Sequence, residues 1–229
     1  MLVEVIVQNG EEAVQAEKLG ADRLELVSAM SEGGLTPSHG TIQQVLNSVS
    51  IPVQVMIRPH SHYYNYTVDD MAIIRYDIEH VRKLGGQGIV FGALDHENKI
   101  NEKLLKEVIA VSSDLDITFH RAFDEAPSQI EAYKTLLNYR ETIKRILTSG
   151  GQSNCEQGKG KLKELVTLAE ETKGPEILPG SGLTPDNIET IHQTVAANQY
   201  HFGKAMRKKH SFAEKFDEQA FLKVKNTDK

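Results

Sequence analysis

Short apolar stretches rich in β-branched residues alternate along the chain with longer stretches in which apolar residues recur at helical spacing. The chain begins with such a pair, because LVEVIV at 2–7 predicts a strand and residues 11–19 predict an amphipathic helix. Further strands are predicted at 23–27, 53–57, 88–91, 116–120, 142–147, 176–178 and 199–202. The helices between them are predicted at about 38–49, 68–84, 102–111, 127–138, 159–171 and 185–195.

Strands that alternate with helices predict a parallel sheet, since a helical crossover returns each strand in the same direction. Open doubly wound sheets usually have about five or six strands, whereas eight βα units are typical of a closed barrel. We therefore predict a single α/β domain, a (β/α)8 TIM-type barrel over residues 1–207. In this interpretation residues 208–229 form a lysine-rich C-terminal appendage with a short helix at 212–224.

Charge and composition narrow the class of partner. The 229 residues carry 32 acidic and 26 basic side chains, a formal net charge of −6, so a general nucleic-acid binder is not expected. We also expect no membrane span and no secretory leader, because no apolar run reaches roughly 18 residues. Cys155 is the single cysteine, which rules out an intrachain disulfide and favours a reducing, cytoplasmic location.

Polar residues at strand ends are the candidates for chemistry, because TIM-type barrels bind and react at that face. Glu4 and Glu25 alternate with aliphatic residues, so their carboxylates are predicted to point into the barrel as catalytic groups. Arg23, Arg58 and His120 are the cations expected to compensate them. The alternative is an internal ion-pair layer that only stabilises the barrel.

The ends of the third and fifth predicted strands add a candidate anion-binding side chain and a candidate proton donor or acceptor. Arg58 offers a planar guanidinium that suits a carboxylate or a phosphate. His120 is a candidate general acid or base, since imidazole ordinarily titrates near neutral pH. Asp124, four residues further on, is a candidate to orient that imidazole or to bind a ligand itself. A histidine paired with a carboxylate for structural reasons is the alternative.

Glycine-rich turns follow the sixth, seventh and eighth predicted strands, the last of them the short FGK at 202–204, and favour anion binding through backbone amides. Thr184 is a predicted N-cap and Pro185 the first residue of the next helix, whose N-terminus would add partial positive charge. Short βα loops also use glycine for purely structural reasons. Together with Arg58, the turns predict a pocket for a small anionic metabolite, lined by Ser149, Gly150, Gly180, Ser181 and Gly182.

Metal ligands are sparse in the sequence. Cu(I) prefers thiolates and thioethers, yet Cys155 stands alone and the five methionines are scattered. His60 and His62 form a His-x-His pair that could hold an imidazole-preferring ion such as Cu(II), Zn or Ni. A mobile active-site flap with incidental histidines is the other interpretation of this segment.

Several strings along residues 2–207 resemble the CutC family, which is named for copper homeostasis. The resemblance implies a cytoplasmic (β/α)8 barrel that participates in copper homeostasis, with copper as a candidate ligand. It also implies a homodimer or a larger homo-oligomer. The strings that carry it are GADRLEL at 20–26, EGGLTPS at 32–38, IRP at 57–59, TFHRAFD at 118–124, LTSG at 147–150 and GSG at 180–182.

Two positions depart from the family pattern. Some members carry cysteines in the first strand, but residues 4–8 read EVIVQ here, so thiolate storage of Cu(I) is not expected. Relatives often have Arg-Pro-Arg after the third strand, where this chain has Arg58-Pro59-His60. The residues themselves leave two alternatives to the family role. One is an isomerase, lyase or hydrolase acting on a small phosphorylated or carboxylated metabolite, with an indirect copper link, and the other is an inactive barrel scaffold.

Overall fold

The computed structural model describes residues 1–112 and 114–227 and contains an eight-stranded parallel sheet. The strands are β1 (Leu2–Val7), β2 (Arg23–Leu26), β3 (Val53–Met56), β4 (Gly88–Phe91), β5 (Asp116–Phe119), β6 (Ile143–Thr148), β7 (Glu176–Pro179) and β8 (Gln199–Phe202). They pair in the order β7-β6-β5-β4-β3-β2-β1-β8. A parallel bridge between Gly180 and His201 brings the end of β7 against β8. The predicted (β/α)8 barrel is therefore confirmed.

Helices alternate with the strands and surround them. Asn9, Ser38 and Thr67 each cap a helix by accepting a hydrogen bond from the amide three residues later. A cap at Asn154 starts another helix at Cys155, earlier than the predicted residue 159. No helix in the described part of the chain is long and apolar enough to cross a membrane. The helices are α1 (Gly10–Lys18), α2 (His39–Leu46), α3 (Val68–Lys83), α4 (Glu102–Val111), α5 (Gln129–Leu137), α6 (Cys155–Thr172), α7 (Ile188–Val195) and α8 (Glu218–Lys225).

The start of α7 corrects one prediction. Thr184 does cap, because its Oγ1 accepts hydrogen bonds from the amides of Asp186 and Asn187 at 3.2 Å each. Those bonds close a turn, however, and the helix itself begins only at Ile188. The prediction that this helix begins at Pro185 is therefore wrong, because it begins three residues later.

Apolar side chains fill the space between strands and helices, whereas the barrel interior contains polar groups. Val5, Leu24 and Ile89 are fully buried in the main apolar cluster, to which the helices also contribute. Side chains that alternate with them on the strands include a buried charged and polar set: Glu4, Arg23, Glu25, Gln54, Arg145, Gln199 and His201.

The C-terminal segment packs against the barrel. Phe221 and Val224 on α8 belong to the main apolar cluster, and Lys225 Nζ lies 2.7 Å from the Asp22 carboxylate. The predicted short helix is present, but it begins at Glu218 rather than at residue 212. The division of the chain at residue 207 stays a prediction.

Candidate functional site

A cavity of about 480 Å³ opens at the carboxyl ends of the strands. The loops after β2, β3, β5, β7 and β8 form its wall, so it occupies the face at which TIM-type barrels bind ligands. Its charged and polar lining residues are Glu25, Glu32, Arg58, His120, Arg121, Ser181, Thr184, His201, Lys204 and His210.

Ionic side chains from neighbouring strands meet at the base of this cavity, and we call Glu4, Arg23, Glu25 and His201 the floor cluster. Arg23 Nε donates to Glu4 Oε2. His201 Nδ1 lies 2.8 Å from Glu4 Oε1, and His201 Nε2 lies 3.7 Å from Glu25 Oε2. The strand register explains the contacts, since Glu4 on β1 is paired with Arg23 on β2 and with His201 on β8. The cation expected at Glu4 is therefore Arg23, and neither Arg58 nor His120 forms an ion pair with it among the described residues.

Burial and neighbouring charges shift the protonation of the floor cluster. Burial raises the pKa of Glu25 to about 7 in spite of the opposing His201 charge. Burial acts on Glu4 as well, but the Arg23 charge and the His201 hydrogen bond outweigh it and lower the pKa to about 2. Glu25 Oε1 is buried and has no hydrogen-bond partner in the described structure. Buried polar atoms without a partner are uncommon in folded proteins.

His120 lines the cavity, and its ring nitrogen Nε2 is buried without a hydrogen-bond partner among the described residues. Its Nδ1 accepts a 3.2 Å bond from the amide of Ala122, which places the proton of the neutral ring on Nε2. Burial, assisted by the Arg58 charge, lowers the pKa of His120 to about 3. The ring lies so close to Gly92 that a Cβ there would be 2.5 Å from Nδ1. His120 is therefore a fixed neutral donor and does not titrate near neutral pH.

Arg58 lines the cavity, but backbone carbonyls engage most of its guanidinium. Nη1 donates to the carbonyls of Glu32 and Gly34 at 3.1 and 3.2 Å, and Nη2 donates to the carbonyl of Ser61 at 3.3 Å. Its Cζ lies 5.0 Å from the centre of the Tyr64 ring. Arg58 thus ties the loop after β2 to the loop after β3, and it brings positive charge to the cavity without an open two-pronged fork.

Asp124 follows β5, and its carboxylate is bound by the turn after β6. Asp124 is not among the residues that line the cavity. Its Oδ1 accepts from the Thr148 hydroxyl at 2.5 Å and from the Gly151 amide at 2.9 Å. Its Oδ2 accepts from the Ser149 hydroxyl at 3.0 Å. The turn therefore binds an anion, but this anion is the protein's own carboxylate, and Ser149 and Gly150 do not reach the cavity.

The turn after β7 does reach the cavity. Ser181 and Gly182 line it, and Ser181 has a φ of 90°, in the left-handed region that turns the chain sharply. Gly180 has a packing role, since a Cβ there would lie 3.2 Å from the Cβ of His201. Of the five turn residues predicted to line the pocket, the structure thus brings two to the cavity.

The histidine pair after β3 lies away from the floor cluster. The ring centres of His60 and His62 are 5.4 Å apart, and His60 Nε2 is 3.5 Å from Asp70. His62 lines a second cavity of about 360 Å³, which shares Arg58 and Tyr64 with the first. Within residues 1–112 and 114–227, one group of three donor side chains is close enough to hold a metal ion, and it comprises Glu4, Glu25 and His201.

Sequence reasoning missed His201, and it did not assign Lys204, in the turn after the eighth strand, to the pocket. His201 alternates with the fully buried Tyr200 and Phe202 on β8, so the inward-facing argument applied to the first two strands would have found it. Lys204 follows β8 directly, is exposed and lines the cavity. Two of the scattered methionines, Met30 and Met56, also meet there, which no spacing in the sequence indicates.

Comparison with known proteins gives sequence relatives along most of the chain. The family model described as the CutC family matches residues 1–206. A human protein named copper homeostasis protein cutC homolog is 40% identical over 201 residues, which are 87% of this chain and 72% of the relative. A Yersinia enterocolitica protein named family protein CutC is 42% identical over 174 residues, which are 76% of this chain and 67% of the relative.

Solved structures give the same result for the fold. A crystal structure of a copper homeostasis protein CutC from Streptococcus agalactiae has a TM-score of 0.81 at 29% identity and covers 89% of this chain and 98% of that chain. Phosphoribosyl anthranilate isomerase from Thermotoga maritima has a TM-score of 0.67 at 13% identity, covering 100% and 99%. At that identity the second likeness concerns the fold alone.

Proposed function

We propose that this chain, which belongs to the CutC family, acts in copper homeostasis through the cavity at the carboxyl ends of its strands. The relatives named copper homeostasis proteins support the role. One observation supports this cavity as the functional site. Two buried side chains, Glu25 and His120, both line it, and each has a polar atom without a hydrogen-bond partner in the part of the chain that the structure describes. Buried polar atoms are rarely left unpaired, so both atoms favour a bound ligand.

A small anionic metabolite suits this cavity. Arg58 and Lys204 bring positive charge to the wall, and the Nε2–H of His120 would donate to a carboxylate or phosphate oxygen. A volume of about 480 Å³ is the size of a small-molecule site. The exposed Lys204 would meet the ligand at the entrance and His120 would meet it at depth.

The residues present offer copper no thiolate. Cys155 is fully buried, and burial raises the pKa of its thiol to about 12, so it does not offer the thiolate that Cu(I) prefers. The floor cluster instead combines an imidazole with carboxylates, a donor set that suits a divalent ion. Thiolate storage of Cu(I) is therefore not part of the proposal.

The remaining expectations stay predictions. They are the enzyme and scaffold alternatives, the cytoplasmic location, and the homodimer or larger homo-oligomer implied by the resemblance. No comparison favours the enzyme, because the isomerase neighbour shares 13% identity and hence the fold alone.

Growth under copper stress tests the proposal in cells whose own copy of the gene is deleted. The wild-type chain is expected to restore copper tolerance, whereas His120→Phe and Lys204→Ala are expected to restore it only in part at equal protein level. His96→Ala is the control, since this exposed histidine lies outside the main cavity. Failure of the wild type to restore tolerance would contradict the role, and full restoration by both cavity variants would contradict the site.

A further inference from the structure

Three side chains of the floor cluster bring donor atoms close enough together to hold a metal ion. One ligand atom from each of Glu4, Glu25 and His201 lies within 4.8 Å of the others. Glu25 and His201 line the cavity, and the unpartnered Oε1 belongs to a Glu25 that is 3% exposed. We propose that His201 Nε2 and the Glu25 carboxylate bind a divalent transition-metal ion, Cu²⁺ or Zn²⁺, and that Glu4 orients the imidazole.

Glu4 is placed as the carboxylate that holds a metal-binding histidine. Its Oε1 lies 2.8 Å from His201 Nδ1, so Nδ1–H donates to it, and Nε2 becomes a ligand once an ion displaces any proton on it. Arg23 holds Glu4 from the other side, and Gln199 Oε1 in turn accepts from Arg23 Nη2 at 2.6 Å. The imidazole is therefore fixed before any ion arrives.

The distance across the site fits an ion between the two ligands. His201 Nε2 and Glu25 Oε2 are 3.7 Å apart. An ion about 2.1 Å from each atom would bind them at an angle of roughly 120°, close to that of a tetrahedral or trigonal site. The remaining positions of the ion would face the cavity.

The pairing of the carboxylates also favours a cation here. Glu4 and Glu25 are both buried, and Arg23 donates to Glu4. Among the described residues Glu25 has no arginine or lysine partner, and its Oε1 accepts no hydrogen bond. A divalent ion bound to Glu25 would supply the missing positive partner. The inference thus goes beyond the proposed anionic ligand and does not depend on it.

Metal titration of the full, tag-free chain after treatment with EDTA tests the inference. We expect one Zn²⁺ or Cu²⁺ per chain, with Cu²⁺ bound more tightly. Glu25→Gln and His201→Gln should each weaken binding at least about tenfold, and Glu4→Gln by about 10–100-fold. His96→Gln is the control, because this exposed histidine lies outside the main cavity. The electron paramagnetic resonance spectrum of the Cu²⁺ protein should show one imidazole nitrogen, which His201→Gln removes.

Several outcomes would overturn the inference. They are the absence of stoichiometric binding by the wild type, unchanged affinity in Glu25→Gln, and loss of binding in a His60→Ala/His62→Ala double variant instead. Should a floor-cluster variant fail to fold, anomalous diffraction from Zn²⁺-soaked wild-type crystals decides. A peak within about 2.3 Å of His201 Nε2 and of a Glu25 oxygen supports the site, and a peak only elsewhere contradicts it. None of these measurements uses an anion, so their failure leaves the proposed anionic ligand untouched.

Discussion

Burial determines what His120 can do at the residue scale. A histidine ordinarily changes charge near neutral pH, but here the low-dielectric surroundings and the Arg58 charge lower the pKa to about 3. The ring is consequently a neutral donor through Nε2, with Nδ1 held by the Ala122 amide. A bound anion would gain this donor without any change in the protonation of the ring.

The pH dependence of stability reports this neutral ring. As pH falls below the usual 6.5, the unfolded chain binds a proton at His120 and the folded chain does not, so the folded state loses stability. The loss at pH 5 should be about 2 kcal/mol. His120→Gln should remove this pH dependence. Between pH 7 and pH 5 the free energy of unfolding of the wild type, measured in urea, should therefore fall by about 2 kcal/mol more than that of the variant. Parallel pH profiles for the two proteins would show that the ring titrates normally.

Individual residues of the site differ in how far the sequence predicts them. Glu25, Arg58 and His120 reach the cavity as strand alternation and barrel rules predict. Their environments could not be predicted, because the carbonyls that engage Arg58 come from loops distant in sequence. The same holds for Asp124, whose partner Ser149 lies 25 residues away.

At the scale of the elements, helix α6 packs closely against the loop after β6. A Cβ on Gly158 would lie 1.8 Å from the carbonyl oxygen of Ser149. Gly160, on the same helix, has no atom within 4 Å of the corresponding position. Because Ser149 also donates to Asp124, the approach of α6 sets the position of the whole loop.

These two glycines give opposite predictions for the same substitution. Gly160→Ala should raise the free energy of unfolding by roughly 0.5–1 kcal/mol, because alanine is the better helix former. Gly158→Ala has the same helical advantage but must displace the loop, and we expect a net loss of about 1–3 kcal/mol. Chemical denaturation of both variants beside the wild type measures the difference. Equal stabilisation of the two would contradict the close contact.

Element boundaries show why local patterns succeed for strands and less well for helix starts. The bounds of β1, β4 and β8 agree with the prediction, since strand alternation is a local property of the sequence. The start of α7 does not agree, because Thr184 and Pro185 resemble a helix N-terminus while the hydrogen bonds to Thr184 Oγ1 form a separate turn. The same residues suit a helix N-terminus and a separate turn, so the sequence pattern alone does not tell that the helix begins at Ile188.

Residues beyond 207 contribute to the cavity and the core at the scale of the whole molecule. Arg207, which is 1% exposed, has its Cζ 5.2 Å from the Phe212 ring and 4.3 Å from the Phe216 ring. Its Nη2 donates to Glu12 at 2.6 Å. Phe212 lines the cavity, so this segment forms part of the cavity wall. Phe221 on α8 packs in the main apolar cluster, so the segment also contributes to the core.

Two neighbours on α8 test whether this segment is integral to the fold. Phe221 is 1% exposed and Leu222 is 51% exposed. Phe221→Ala should lower the free energy of unfolding by about 3–5 kcal/mol, because it empties a core position. Leu222→Ala should change it by no more than about 0.5 kcal/mol. An appendage independent of the barrel would tolerate both substitutions equally in thermal or urea unfolding.

Calorimetric titration of inorganic phosphate into the tag-free wild-type chain most directly tests whether the cavity binds a small anion. The account predicts saturable binding of one phosphate per chain. Lys204→Ala should weaken it by about tenfold, the effect of losing one charge-assisted hydrogen bond, whereas Lys208→Ala, at an exposed lysine outside the cavity lining, should leave it unchanged. The absence of saturable binding by the wild type, or the same loss in both lysine variants, would contradict the account.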